Sequence, residues 1–119
     1  MCWISRELNK QVATKNITIY KVGTCNTRSF ISLYTKFRYQ YNKVYTESFT
    51  IGKYPPNFHI TTGFHSYKTI SKASRASIFF CKPIAWCTIP KGAVYYENND
   101  GEIVSNQIII NGFLQINLK

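Results

Sequence analysis

The chain consists largely of short stretches in which large apolar residues alternate with polar ones. Such alternation runs through NITIYKVG (16–23) and again from residue 24 to residue 49, with a break at Tyr41-Asn42-Lys43. Because successive side chains of a strand point to opposite faces, the first stretch predicts one strand and the second predicts two or three. The stretch 51–60 is predicted to be a loop, since it contains Pro55-Pro56 and proline cannot donate to a strand ladder.

A helical period interrupts this alternation between Thr69 and Pro83. Thr69 is able to accept a hydrogen bond as the N-cap and Pro83 cannot continue a helix, so we predict one helix over residues 70–80. Gly63, before the helix, is predicted to hold a tight backbone position that other residues tolerate poorly. The residues that share one face at helical spacing are Ile70, Ala73, Ala76, Ser77 and Phe80.

The last third of the chain returns to strand patterns. IAWCTI (84–89) is apolar throughout, which is typical of a central strand buried on both faces. AVYY (93–96) and EIVS (102–105) flank Asn99-Asp100-Gly101, a strong turn signal, and therefore predict a hairpin. The segment QIIINGFLQINL (107–118) predicts one more strand.

Together these elements predict the α+β class in a single domain that spans residues 1–119. We expect a mostly antiparallel, twisted sheet of six to eight strands with one main helix packed against it, and residues 1–16 as an N-terminal arm. No stretch reaches the ~18 apolar residues of a membrane span, and the N-terminus lacks the apolar core of a signal peptide. The expected location is therefore the cytoplasm, without a membrane partner.

The charge of the chain is strongly positive and unevenly distributed. Fifteen Lys and Arg residues stand against five Asp and Glu residues, a net charge of +10, and three of the acids lie in the predicted hairpin, at Glu97, Asp100 and Glu102. A positive field attracts anions such as nucleotides or nucleic acid, although a basic surface also serves solubility alone. We expect an anionic small molecule or nucleotide as the partner, keep nucleic acid as an alternative, and leave the oligomeric state open.

The cysteine spacing matches none of the common metal-binding patterns. The four cysteines form no C-x-x-C pair, and neither histidine lies close to a cysteine in sequence. In a reducing cytoplasm such cysteines are free thiols. We expect Cys81 and Cys87 to be small core residues, and we predict no metal site.

Two motifs, GFHS (63–66) and IPKGAVYY (89–96), occur in an order and spacing that resemble a family of small proteins encoded by gut bacteria of the Bacteroides type and by their phages. The resemblance covers about Ile17 to Ile110. It implies a shared fold, and a phage setting would imply a counter-defence role in the host cytoplasm.

A weaker resemblance connects the chain with ADP-ribosyltransferases of the arginine–serine–glutamate type. GFHSYKTISKA (63–73) is similar to their middle strand and helix, and GEIVSNQIII (101–110) is similar to the strand that carries their catalytic glutamate. The resemblance implies Glu102 as the catalytic carboxylate, which would stabilise the cation formed as nicotinamide leaves NAD. That role requires Glu102 to face residues 63–66 across a cleft.

The candidate ligand-binding residues fall on three segments. The turn into the predicted helix offers an imidazole, a hydroxyl and two lysines near free N–H groups, which favour anions. The first strand offers an aromatic ring and a cation where the transferases have arginine. The stretch YTKFRYQYNKVY (34–45) interleaves aromatic and basic residues, which suits either base stacking with phosphate binding or a sheet core. The candidates are His65, Ser66, Tyr67, Lys68, Lys72, Tyr20, Lys21 and Arg38.

Three functions fit these residues. The leading hypothesis is a binding protein for an anionic, nucleotide-like ligand, without a cofactor, which in a phage would sequester a nucleotide signal of host defence. The second is an ADP-ribosyltransferase-like enzyme that uses NAD, with Glu102 catalytic and with His65 and Ser66 positioning the substrate. The third is a protein-binding inhibitor or structural module whose basic surface meets an acidic partner.

Overall fold

A computed structural model describes residues 3–25, 28–33 and 36–114, apart from the side chain of Phe80. Within these ranges the chain forms 13 strands and one helix. Met1, Cys2, Tyr34 and the end of the last predicted strand lie outside the described residues. The elements are β1 (Trp3–Ser5), β2 (Gln11–Val12), β3 (Ile17–Cys25), β4 (Ser29–Ser32), β5 (Arg38–Gln40), β6 (Val44–Thr46), β7 (Ile51–Tyr54), β8 (Asn57–Ile60), β9 (Phe64–Tyr67), α1 (Ile70–Phe80), β10 (Ile84–Ile89), β11 (Val94–Glu97), β12 (Glu102–Ser105) and β13 (Gln107–Leu114).

The strands form a large sheet and a small one, both antiparallel. The large sheet has ten strands, eight of them in the order β2-β11-β12-β9-β3-β10-β13-β6, with β4 and β5 added beside β3. The small sheet has the order β1-β8-β7. The predicted α+β architecture of a mostly antiparallel sheet with one helix is therefore confirmed for the described residues. The predicted count of six to eight strands is too low, because strands of two to four residues are too short to show a period.

The core lies on one face of the central strands β3, β10 and β13. Ile19, Cys87 and Ile110 are fully buried there. The prediction that β10 is buried on both faces is wrong at Trp86, whose side chain is 40% exposed. Trp86 points to the opposite face of the sheet, where α1 packs around Val22 and Ile84 and leaves Trp86 partly uncovered.

Helix α1 spans the predicted residues Ile70–Phe80. The Thr69 hydroxyl accepts from the Lys72 amide at 3.2 Å, and the helix ends at Cys81, which has a left-handed φ of 54°. The small side chain of Ala73 is fully buried and lets the helix approach the sheet closely. Ile70 was predicted on the same buried face, but it is 47% exposed because packing begins one turn later. At eleven residues, α1 is too short to cross a bilayer, and the described residues contain no other helix.

Two segments are more regular than their sequences indicated. Residues 51–60 were predicted to be a loop, but they form the β7–β8 hairpin, in which Pro55-Pro56 occupies the turn and no ladder donor is lost. In the expected N-terminal arm, β1 pairs with β8 and β2 pairs with β11. Trp3 is 1% exposed, so the described part of this segment packs onto the body of the protein.

The predicted β11–β12 hairpin is confirmed and is organised by Asn98. The Asn98 side-chain oxygen accepts from the amides of Asp100 and Glu102, both at 3.0 Å. Its side-chain nitrogen donates to the Ile4 carbonyl at 3.0 Å, which ties the turn to β1. Gly101 completes the turn with a φ of 75°, a conformation that favours glycine.

Candidate functional site

The candidate site lies where strands β3 and β9 separate. These strands are paired at one position, Tyr20 with Tyr67, after which β9 continues beside β12 and β3 continues beside β4. A half-enclosed cavity of about 440 Å³ opens at this point, and we call it the β3–β9 cavity. Its walls come from β3, from the ends of β4, β5 and β6, and from residues 61–67. Cavities of about 300–1,000 Å³ are typical of small-molecule sites.

One wall of the β3–β9 cavity is a cluster of aromatic rings. Phe37, Tyr39 and Tyr45 meet edge to face, with ring centroids separated by 4.7 to 5.6 Å. Phe64 from β9 adds a fourth ring, 6.0 Å from Tyr39. Tyr39 is buried, whereas Phe37 is 48% exposed. The interpretation of the YTKFRYQYNKVY stretch as a sheet core is therefore confirmed for Tyr39, whereas base stacking on its exposed ring, Phe37, stays a prediction.

Lys21 supplies the positive charge of the cavity. The register that pairs Tyr20 with Tyr67 places Lys21 opposite Ser66, and the Lys21 ammonium donates to the His65 carbonyl at 2.6 Å. This bond crosses the gap at which the backbone ladder between the strands ends. Burial lowers the pKa of Lys21 to about 8, while nearby Cys87 and Glu47 oppose that shift. The side chain is therefore mostly protonated at neutral pH.

Ser66 and His65 bring polar atoms to the cavity that no other described residue satisfies. Ser66 is 4% exposed, and its hydroxyl has no hydrogen-bond partner in the described part of the chain. The same holds for the buried Nε2 atom of His65. Burial, and then the charge of Lys21, lower the pKa of His65 to about 4, so the imidazole is neutral near pH 7. Buried polar groups are nearly always paired, so each of these two atoms has an unused hydrogen-bonding position for a ligand or for water.

A second, shallower groove lies beside α1 and contains Glu102. Tyr67 lines both spaces, and the groove also contains Lys72, Arg75 and Asp100. The Glu102 carboxylate accepts from the Asn98 side chain at 3.1 Å. In the β9–β12 register Glu102 lies opposite Tyr67, two positions from His65, and it is not among the described residues that line the β3–β9 cavity.

The predicted anion site at the start of α1 faces carboxylates. Lys68 forms an ion pair with Glu97 at 3.1 Å, and Lys72 shares the second groove with Asp100 and Glu102. The first turn of α1 contains no acidic residue, so the β11–β12 hairpin supplies the negative charge that suits a helix N-terminus. Lys68 is therefore compensated within the chain, and Lys72 has two carboxylates in its own groove.

The structure thus gathers half of the predicted ligand-binding residues at one cavity. Lys21, His65, Ser66 and Tyr67 line it, and Lys68 and Lys72 do not. Tyr20 packs beneath α1. Arg38 is exposed and donates to the Ser29 hydroxyl at 3.0 Å, away from the cavity.

Glu47 was missed by the sequence analysis, although it lines the cavity. The sequence feature that could have pointed to Glu47 is that it is the sole acidic residue between Glu7 and Glu97. A lone carboxylate in a long basic stretch indicates a local role for its charge.

The three described cysteines are free thiols in different settings. Cys87 is fully buried, as predicted, and Cys25 is partly buried. Cys81 was predicted to be a core residue, but it is exposed because it caps the C-terminus of α1. No three His, Cys, Asp or Glu residues within 3–25, 28–33 and 36–114 cluster in a way that could hold a metal ion.

The chain was compared with known proteins at three levels. A scan against protein-family models, a search of curated proteins and a search of solved structures each find no match. The resemblance to the small proteins of bacteria and phages and the resemblance to ADP-ribosyltransferases both stay predictions.

Proposed function

We propose that the protein binds a small anionic ligand of the nucleotide type in the β3–β9 cavity. The observation that carries this proposal is that Lys21, whose ammonium donates to the His65 carbonyl, and Ser66, whose buried hydroxyl is unpartnered among the described residues, line one cavity walled by aromatic rings. A cation beside a free donor suits a phosphate oxygen, and an aromatic wall suits a planar base.

The site offers separate partners for the two halves of such a ligand. Lys21 and Ser66 would hold the phosphate, because both side chains are able to donate hydrogen bonds. The outer ring of Phe37 is exposed enough for a base to pack on it, and Tyr45 lines the same wall. The unpartnered Nε2 atom of His65 would add one hydrogen bond to a ribose or a base.

The charge distribution of the chain supports this ligand class. The net charge is +10, and three of the five acids lie in the β11–β12 hairpin, close to Lys68 and Lys72 at the start of α1. The positive field elsewhere would raise the local concentration of anions and speed their association. The proposal places the protein in the cytoplasm. If the protein is encoded by a phage, its ligands would include a nucleotide signal of host defence.

The proposal is tested by calorimetric titration and thermal unfolding with AMP, ATP, a cyclic mononucleotide, NAD and ADP-ribose. A ligand at 100 times its Kd should stabilise the fold by about 2.7 kcal/mol. Lys21→Met should weaken binding by about 10- to 100-fold, since it removes a charge-assisted hydrogen bond. The matched control is Lys91→Met, because Lys91 is exposed on a distant turn. If no compound binds, or if both variants weaken binding equally, the proposal is wrong.

A second candidate function is transfer of ADP-ribose from NAD. The observation that favours it is Tyr67, which lines both the β3–β9 cavity and the groove that holds Glu102. A dinucleotide spanning the two spaces would bring its ribose near that carboxylate. Incubation with labelled NAD and a protein extract should then label a product, and Glu102→Ala should abolish the label. Unchanged labelling in this variant, or none with the natural chain, would exclude the enzyme.

A further inference from the structure

The β3–β9 cavity contains one fixed charge of each sign. Among its described lining residues, Lys21 is the basic side chain and Glu47 is the acidic one, while His65 is neutral at pH 7. Other cations lie close to this region without lining it. Lys43, for example, has its ammonium over the Tyr45 ring, 5.3 Å from the centroid. The cavity itself is therefore nearly neutral, although the chain as a whole is strongly basic.

Glu47 is held beside the cavity by the sheet. It directly follows β6, and its amide donates to the Asn106 carbonyl at 2.9 Å. Its carboxylate is exposed, yet its negative charge is near enough to oppose the lowering of the Lys21 pKa by burial and to add to burial in raising the pKa of Tyr39. A ligand bound at Lys21 would therefore meet the field of a carboxylate from a second side.

From this pair we infer that the cavity selects nucleotides that carry a single negative charge, such as the phosphodiester of a cyclic mononucleotide, and that Glu47 discriminates against polyphosphates. The inference rests on the proposed function and names its ligand class. One phosphodiester charge balances Lys21. Each further phosphate adds negative charge that has no second cation among the described lining residues and that Glu47 repels.

A graded panel of charges tests this selectivity. The probes are 3′,5′-cyclic AMP, AMP, ADP and ATP, titrated into the protein without divalent cations, so that the ligand charge rises in steps while the base and ribose stay nearly constant. The natural chain should bind the cyclic nucleotide on the order of tenfold more tightly than ATP, because the added charges interact with Glu47 at partly screened distances. AMP and ADP should fall between them.

Glu47→Gln is the informative variant, because it removes the charge and keeps the shape. It should reduce the preference for cyclic AMP over ATP to about threefold or less. Glu7→Gln is the matched control: it makes the same change in net charge at an exposed residue that does not line the cavity. This control should keep the preference of the natural chain. Melting temperatures of all three proteins show whether Glu47 acts on the fold instead.

The outcomes separate the inference from the function on which it rests. If no probe binds the natural chain, the proposed function fails and the selectivity fails with it. If ATP binds as tightly as cyclic AMP, or if both glutamate variants change the preference equally, the nucleotide site stands and the role of Glu47 is wrong. If the preference for cyclic AMP over ATP is lost in Glu47→Gln and kept in Glu7→Gln, both the proposed function and the role of Glu47 are supported.

Discussion

Replacing Lys21 by Met should change how the stability of the protein depends on pH. In the folded protein burial lowers the pKa of Lys21 from 10.5 to about 8. Below pH 8 both folded and unfolded chains carry the proton, so the cost of burying the charge is fully present. As the pH rises from 8 towards 10.5, the folded state loses the proton first, and its stability increases relative to the unfolded state.

The size of this effect follows from the same two pKa values. Between pH 7 and pH 9.5 the linkage relation predicts that the free energy of unfolding contributed by Lys21 rises by about 2 kcal/mol. The thiols of Cys25 and Cys87 act in the opposite direction, because burial raises their pKa to about 11 and about 12. The two thiols contribute to the free energy of unfolding below pH 9, and this contribution is lost as the pH rises above 9. The difference between the natural chain and Lys21→Met removes most of this background.

Urea unfolding, followed by tryptophan fluorescence at pH 7, 8, 9 and 9.5, measures this difference. The natural chain should gain about 2 kcal/mol relative to Lys21→Met across the series. Lys91→Met, at an exposed site, should show no such trend against the natural chain. A flat difference for Lys21→Met would mean that the amine is solvated, and the description of the cavity as a desolvated cation site would be wrong.

Three substitutions and one pH titration further test the fold around the site. Gly63→Ala should lower the free energy of unfolding by about 2 kcal/mol or more, because its φ is 107° and a Cβ atom would lie 2.8 Å from a Val104 methyl group. Gly92→Ala, with a φ of 92° but nothing within 4 Å, should cost less, and an equal loss in urea unfolding would refute the steric argument. Asn98→Ala should lower the free energy of unfolding by about 2–3 kcal/mol, since it removes four hydrogen bonds of a buried side chain. A near-neutral result in the same assay would show that the turn does not depend on Asn98. The imidazole of His65 should show no titration in NMR spectra between pH 5.5 and 8, because burial lowers its pKa to about 4. The free energy of unfolding of the protein should fall as the pH drops from 6.5 towards 4. A titration midpoint near 6.5 would contradict the buried setting of His65.

The sequence was sufficient for elements whose signals are local. Helix α1 was predicted at its observed bounds because Thr69, the small residues of one face and Pro83 all act within a few positions. The β11–β12 hairpin follows from its Asn-Asp-Gly turn in the same way. The β7–β8 hairpin was missed, since Pro55-Pro56 suppresses a strand prediction for the whole segment although it affects only the turn.

The candidate site depends on contacts between distant segments, which a pattern along the chain does not show. The Lys21 ammonium reaches the His65 carbonyl because β3 and β9 are adjacent, and that contact joins residues more than forty positions apart. The alternation of aromatic and basic residues along 34–45 does not indicate which of the rings lie in the core and which are exposed. The sheet places Tyr39 in the core and leaves Phe37 partly exposed. The carboxylates opposite Lys68 and Lys72 were visible in the sequence, but their position beside α1 was not.

A titration of cyclic AMP followed by amide NMR spectra of the labelled protein would locate the binding site. We predict progressive shifts of residues 21–22, 45–47 and 61–67, which line the β3–β9 cavity, and the loss of these shifts in Lys21→Met. Spectra that do not change up to millimolar ligand, or shifts centred on the start of α1 and the β11–β12 hairpin, would contradict it.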